Sequence, residues 1–246
     1  MPNVTLIDFT GKGRQDEDWH AANLLLFTKN TRLELAPDTL ADIQARPVAK
    51  KEAALAEMAK TIPSSWEFVD VTFLISGVTR ACAQQITRTR NASYSMQSQR
   101  VVDVSNGCVT NPFEPGSDLC DAFEESAEEI MGHYKYLMAN GAAPQDARGI
   151  LPMNIQTNLL AKYNLRAFAD LVRSRSSMRT QEEYAVIVHK MVDAVTAAWP
   201  WVTPFLTPAQ NLAIAELEAV VKSLGLVTGS GPGWRIAKAI DLLRKE

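Results

Sequence analysis

Arg88, Arg90 and Arg100, interleaved with Ser93, Ser95 and Ser98, form the part of this chain best equipped for chemistry on an anion. A guanidinium stays charged at any physiological pH and grips oxyanions two hydrogen bonds at a time; hydroxyls add further donors. No Asp or Glu occurs from Val71 to Val102, a window that also holds Arg80. The whole chain is acidic, with 25 Lys and Arg against 28 Asp and Glu and a net charge of −3, so this run is a local reversal of sign. A solvated basic face is the plainer alternative, and composition by itself leans that way. A second basic stretch holds Lys162, Arg166, Arg173, Arg175 and Arg179, with only Asp170 inside it. Arg175 and Arg179 are four apart on one helix face, where like charges cost about 0.2–0.5 kcal/mol unless an anion lies between them. The two stretches either converge on a ligand with several phosphates or form separate surfaces.

Nucleophiles and metal ligands are sparse. Cys82, Cys108 and Cys120 are odd in number and lack CxxC spacing, which fits free thiols in a reducing cytoplasm. Cys82 lies in an apolar helical stretch and reads as core; Cys108 and Cys120 have no basic neighbour to activate a thiolate. Ser98 has no His nearby to act as a base, so it reads as a binding group. His20, His133 and His189 form no ligand pattern, and no metal is expected. Gly229-Ser230-Gly231-Pro232-Gly233 follows no strand and reads as a hinge rather than a phosphate loop. The acidic balance argues against broad nucleic-acid binding. No apolar run approaches the roughly 20 residues of a membrane span, and Met1–Phe9 lacks the pattern of a signal peptide; a cytoplasmic protein is expected.

The elements that must carry these residues follow from periodicity and caps. Residues 3–9 read as an opening strand, and Leu24–Phe27 as a short buried element of uncertain type. Pro47–Ile62 reads as a helix ended by Pro63. Residues 68–75 alternate, with Val69, Val71 and Phe73 inward, as in a half-buried strand. Gly77 to about Thr89 reads as a helix with Arg80, Gln84 and Arg88 on one face. The serine-rich run then reads as a loop. Ser117 caps a helix ending at Asn140-Gly141, with Leu119, Phe123, Ile130, Met131, Tyr134 and Leu137 inward. A short turn carries Arg148, and Leu151-Pro152 breaks it. Met153–Tyr163 is ambiguous between strand and helix. Asn164 caps Leu165–Ser176. Thr180 and Glu183 have capping-box spacing ahead of Tyr184, Ile187, Val188, Met191 and Val195. Trp199 and Trp201 flank Pro200 and pin a helix end. Two further helices follow Thr207. The expected class is α+β, helix-rich, with one domain over residues 1–206 and a helical extension over 207–246 packed on it.

At this point the residues resemble a family. Phe73–Cys82, Gln85 and Arg88-Thr89-Arg90-Asn91-Ala92-Ser93-Tyr94-Ser95-Met96-Gln97-Ser98-Gln99-Arg100 are similar to the signature of flavin-dependent thymidylate synthases: Arg-His-Arg, seven residues, then Ser. Ala147-Arg148-Gly149-Ile150-Leu151-Pro152 is a second match, and Asn164-Leu165-Arg166 leading to Leu171–Glu183 a third. Three ordered blocks across roughly residues 64–185 are far more specific than one.

The resemblance implies a mixed α/β homotetramer with FAD between subunits and dUMP beside the flavin. It implies methylation of dUMP at C5 to dTMP, with methylenetetrahydrofolate as one-carbon donor, NADPH as reductant of the flavin and reduced FAD as hydride source. Glu67, Arg88, Thr89, Arg90, Asn164, Arg166 and Arg179 are then expected at FAD. Gln85, Ser98, Gln99, Arg100, Arg148 and Arg175 are expected at dUMP, with Arg148 and Arg175 from a neighbouring subunit and Arg175 stabilising charge on the uracil ring. The chain departs from the family at Thr89, where the central histidine is usual, at Val101 (usually Tyr) and at Asp170 (usually His or Asn). The lost ring at 89 motivates a related product, 5-hydroxymethyl-dUMP, as an alternative. A non-enzymatic nucleotide-binding protein is a second one.

Overall fold

In the computed structural model, residues 2–29, 35–175 and 182–207 are described. Strand β1 (Asn3–Phe9) opens the fold and pairs antiparallel with β2 (Asp70–Thr79). β4 (Gln156–Asn164) lies on the other side of β2, and β3 (Ala92–Met96) closes the sheet, giving the order β1-β2-β4-β3 with every neighbour antiparallel. Val71, Phe73 and Ile75 of β2 and Leu159, Ala161 and Tyr163 of β4 point to one buried face, as the period of two requires. Helices α1 (Glu17–Thr28), α7 (Leu165–Arg175) and α8 (Glu182–Ala198) belong to the core on that side. Leu74 and Leu160, paired across the strands, point the other way and are partly exposed. The α+β expectation holds.

Several local expectations change. The doubtful Leu24–Phe27 element belongs to α1, whose Ala21, Ala22, Leu25 and Leu26 are buried. α2 (Pro37–Ala45) was not foreseen, and α3 is Val48–Ala59 behind Pro47. Pro63 opens a 3₁₀ turn over Pro63–Phe68. The helix expected from Gly77 begins three residues later, as α4 (Arg80–Ile86). Gly77 stays in β2, where the register slips between Ile75 and Val78. Its φ of +69° is a conformation that side chains avoid, and its N–H donates to Asn158 Oδ1 at 3.2 Å. The serine-rich run is not a loop but β3: Ala92, Tyr94 and Met96 turn inward while Ser93 and Ser95 stay outside.

The caps are where sequence put them. Ser117 Oγ accepts the Cys120 N–H at the start of α5 (Asp118–Ala139), and Gly141 leaves it at φ +84°. Only part of its expected inner face is buried: Met131 and Tyr134 are, but Leu119 is 63% exposed. α6 (Pro144–Ala147) and a 3₁₀ turn at Arg148–Ile150 lead to β4. Asn164 Oδ1 accepts the Ala167 N–H at 2.8 Å and so caps α7. Thr180 and the expected helices beyond Thr207, with the Gly-rich segment, lie outside the described residues. Trp199 and Trp201 stack at 5.3 Å between ring centres, and Trp201 Nε1 donates to the Asp18 carbonyl, before the short α9 (Thr203–Leu206).

Candidate functional site

The topology sorts the expected site residues to the two ends of β4. Because β3 enters opposite Tyr163, Arg88, Thr89 and Arg90 sit at the Asn164 end, together with Arg166 and Glu67. Because β3 leaves opposite Leu159, Ser98, Gln99 and Arg100 sit toward the Gln156 end, where β2 hands over to Arg80. β4 has nine residues and so is itself roughly 27 Å long at about 3.4 Å per residue.

At the Asn164 end, Arg88 and Arg90 are exposed and have no carboxylate partner among the described residues. Arg166 Nη1 meets Glu67 Oε1 at 2.7 Å, and Lys162 pairs with Asp70 at 2.8 Å. Glu67 is therefore an ion-pair partner of Arg166 in this chain. Next to it, Leu24, Phe27, Leu35, Ser64, Ser65 and Phe68 line a hollow of about 380 Å³. This mostly apolar lining, with hydroxyls at one side and unpaired guanidinium groups on the same sheet end, suits a flat ring attached to phosphates. Arg179 lies outside the described residues.

At the Gln156 end, Arg80, Gln84, Gln99, Arg148, Gly149 and Met153 line a recess of about 350 Å³. Gln99 is only 9% exposed, and its Nε2 is buried with no hydrogen-bond partner. A buried N–H without an acceptor costs about 1–3 kcal/mol, which an arriving anion or carbonyl would recover. Arg148 and Arg80 have no carboxylate partner among the described residues; Arg80 Nη1 reaches only Met96 Sδ, at 2.8 Å. The reading of this stretch as basic foresaw the missing counter-charge, yet sequence alone put neither Arg80 nor Gln84 among the expected ligand contacts. Their i, i+4 spacing on a carboxylate-free helix was the available signal. Ser98 and Arg100 are exposed beside the recess. The Ser98 carbonyl accepts the Val102 N–H, and its Oγ accepts the Arg100 N–H at 3.3 Å, so Ser98 builds the turn that presents its neighbours. Gln85 is half-buried on α4, and its carbonyl accepts the Arg88 N–H. Arg148 and Gln99 share this recess within a single chain.

Between the ends lies a buried layer. Tyr94 Oη is 2.9 Å from the Ile86 carbonyl and 3.1 Å from that of Thr89, sharing its hydrogen between them, and 3.3 Å from Tyr163 Oη. Burial pushes the Tyr94 and Tyr163 hydroxyls above the usual tyrosine range. Cys82 is fully buried, and burial with the nearby Glu183 carboxylate pushes its thiol up to about 12. Cys120 is buried against Glu124, and both burial and that carboxylate raise it too. Neither thiol is poised to attack a ring carbon. Glu183, read from sequence as the capping-box partner of Thr180, has a different role: its carboxylate accepts from Thr79 N at 2.8 Å and Thr79 Oγ1 at 2.5 Å, tying the end of β2 to α8. Arg175 lies over the ring of the buried Tyr184, its Cζ 5.3 Å from the ring centre.

Among the described residues no group of His, Cys, Asp and Glu could hold a metal ion, and no helix is long and apolar enough to cross a membrane.

Fold and site together define a class: an α+β protein on a four-stranded antiparallel sheet, with unneutralised guanidinium groups at both sheet ends. The chain belongs to the thymidylate synthase complementing protein family, whose profile matches residues 5–201. It is similar to the flavin-dependent thymidylate synthase of Pyrococcus furiosus, 30% identical over 133 residues, 52% of this chain and 54% of that protein. It is also similar to that of Nitratidesulfovibrio vulgaris, 33% identical over 136 residues, 51% of this chain and 56% of that protein. The chain thus spans about half the length of the curated relatives it matches. The crystal structure of the UMP/dUMP methylase PolB from Streptomyces cacaoi, bound with 5-Br dUMP, shares the fold, with a TM-score of 0.62 over 82% of this chain and 92% of that one at 18% identity.

Proposed function

We propose that this chain methylates dUMP at C5 to dTMP, with FAD as its resident cofactor and methylenetetrahydrofolate and NADPH as co-substrates. One observation carries the reading: unpaired arginines and an orphaned buried amide occupy one end of β4, while a second arginine set beside an apolar hollow occupies the other. The recess of Arg80, Gln99 and Arg148 takes the nucleotide phosphate, with Ser98, Arg100 and Gln85 along its rim. Gln99 Nε2 donates to a phosphate oxygen or to the base. Arg88, Arg90, Asn164 and Arg166 hold FAD, with the hollow beside Glu67 receiving one of its rings. Asn164 offers Nδ2, since its Oδ1 is committed to the α7 cap.

Residue sets at opposite ends of β4 suit a site assembled from two copies, the flavin end of one meeting the nucleotide end of the other. Arg148 then reaches the phosphate from its own chain, and Arg175 comes from the neighbour. A homotetramer supplies such contacts by closed symmetry.

Bound flavin supplies the hydride chemistry. The protein's part is orientation and charge. Arg175 stabilises negative charge as it develops on the uracil ring, in a site where arginine cannot lose its proton. No thiol is needed, in keeping with the protonated, buried states of Cys82 and Cys120. Purified protein incubated with FAD, NADPH, methylenetetrahydrofolate and dUMP should yield a nucleotide with the mass of dTMP. A product heavier by one oxygen identifies 5-hydroxymethyl-dUMP instead. A chain that takes up no flavin is left with nucleotide binding alone.

A further inference from the structure

We propose that Tyr184 is the positioning residue for Arg175, its ring a fixed platform that aims the guanidinium at the nucleotide base; this rests on the role just given to Arg175. Arg175 and Arg173 sit in the same last turn of α7 and are held in different ways. Arg173 meets Asp170 at 3.0 Å and the Phe205 carbonyl at 3.4 Å, with its Cζ 5.5 Å from the Trp66 ring centre. Its charge is answered. Arg175 has no carboxylate partner among the described residues, and the Tyr184 face at 5.3 Å is what holds it. A π face attracts a guanidinium without neutralising it, so the full charge stays available to a ligand.

The platform itself is rigid. Tyr184 is 0% exposed in the core, on the first turn of α8, next to the Glu183 that bolts that turn to Thr79. Its hydroxyl is buried. Burial pushes this hydroxyl above the usual tyrosine range, while the neighbouring Thr89 side chain and the Arg175 charge pull the other way. Thr89 of the signature motif and Arg175 thus both act on Tyr184. The small side chain at 89 leaves the ring at 184 as the aromatic group in this layer that the guanidinium uses.

A double-mutant cycle on the full-length, FAD-supplemented protein tests this, reading dUMP affinity by calorimetry alongside turnover. Tyr184→Leu should weaken dUMP binding and lower kcat by about tenfold in the wild type, but by less than about twofold in an Arg175→Ala background. Tyr184→Phe, which keeps the π face, should retain at least about half of both. Equal losses from Tyr184→Leu in both backgrounds, or Phe as damaging as Leu, overturn the inference. Thermal melting checks folding; if the Leu variant does not fold, Tyr184→Met serves in its place, keeping bulk without a π face. Should Arg175→Ala bind and turn over dUMP like the wild type, the role of Arg175 falls, and this inference with it. Intact sensitivity to Arg175→Ala with additive Tyr184 losses sinks the inference alone.

Discussion

The two ends of β4 solve opposite electrostatic problems. At the Asn164 end, basic groups are divided: Arg166 and Lys162 have carboxylates at 2.7 and 2.8 Å, while Arg88 and Arg90 extend into solvent. At the Gln156 end no carboxylate lines the recess, Glu183 being committed to Thr79; Arg80 settles for a thioether, and a buried amide goes unanswered. Exposed, half-neutralised charge suits a large extended ligand held at many points. Concentrated donors in a small recess suit one compact oxyanion. The difference teaches that a uniform basic stretch in sequence can be divided by a sheet into two sites of different character.

The sharpest way to break that comparison is to disable each end separately. Arg88→Ala should release flavin and leave dUMP binding intact. Arg148→Ala should do the reverse, weakening dUMP by roughly ten- to a hundredfold for a charge-assisted bond of about 1.5–3 kcal/mol. Each alone should be nearly inactive. If each site draws one end from each of two copies, co-expressing the two variants should restore up to about a quarter of wild-type turnover. Hybrids that stay as dead as their parents would place both ends of a working site in the same chain. A smaller effect sharpens the assignment of the recess. Arg80→Ala should weaken dUMP by about tenfold and leave the binding of deoxyuridine unchanged, since only the former carries a phosphate. Equal losses for both ligands would move Arg80 to the base.

The smallest effect concerns the layer joining the ends. The Cys82 thiol is raised from 9.0 to about 12, and the hydroxyls of Tyr94, Tyr163 and Tyr184 stand above their usual 10.0. Each raised acid holds its proton more tightly when folded. Its stabilisation is complete below the unfolded value and is lost as pH climbs through the folded one. Denaturant unfolding should therefore show stability declining from pH 9 upward, with a shallower onset in Cys82→Ala. A decline that begins equally early without the thiol would remove Cys82 as its source.

Much of this was legible in the sequence wherever a signal is local. Ser117, Asn164 and Gly141 cap or end helices through contacts within a few residues, and those boundaries stood. The inward alternation of Val69, Val71 and Phe73 stood as well. What failed depended on distant partners. β3 carries Asn, Ser and Arg in and around it and is a strand because β4 pairs with it and Tyr94 anchors it from beneath. α1 is apolar on more than one side, so it lacks the single stripe that announces a surface helix. Gly77 read as a helix start because a glycine's meaning depends on φ, and here the positive φ serves a bulge. Within the candidate site, the expected residues came from the resemblance of three ordered motifs to a family. Their division between two strand ends, the pairing of Glu67 with Arg166, and Glu183 as a tie to β2 are properties of register and packing alone.

The strand that separates the two ends also fixes their spacing. Nine residues of hydrogen-bonded backbone, held on both sides by β2 and β3, leave neither end free to slide along the sheet without breaking register with both neighbours. Exposed side chains at either end can therefore be exchanged without shifting the backbone that carries the other.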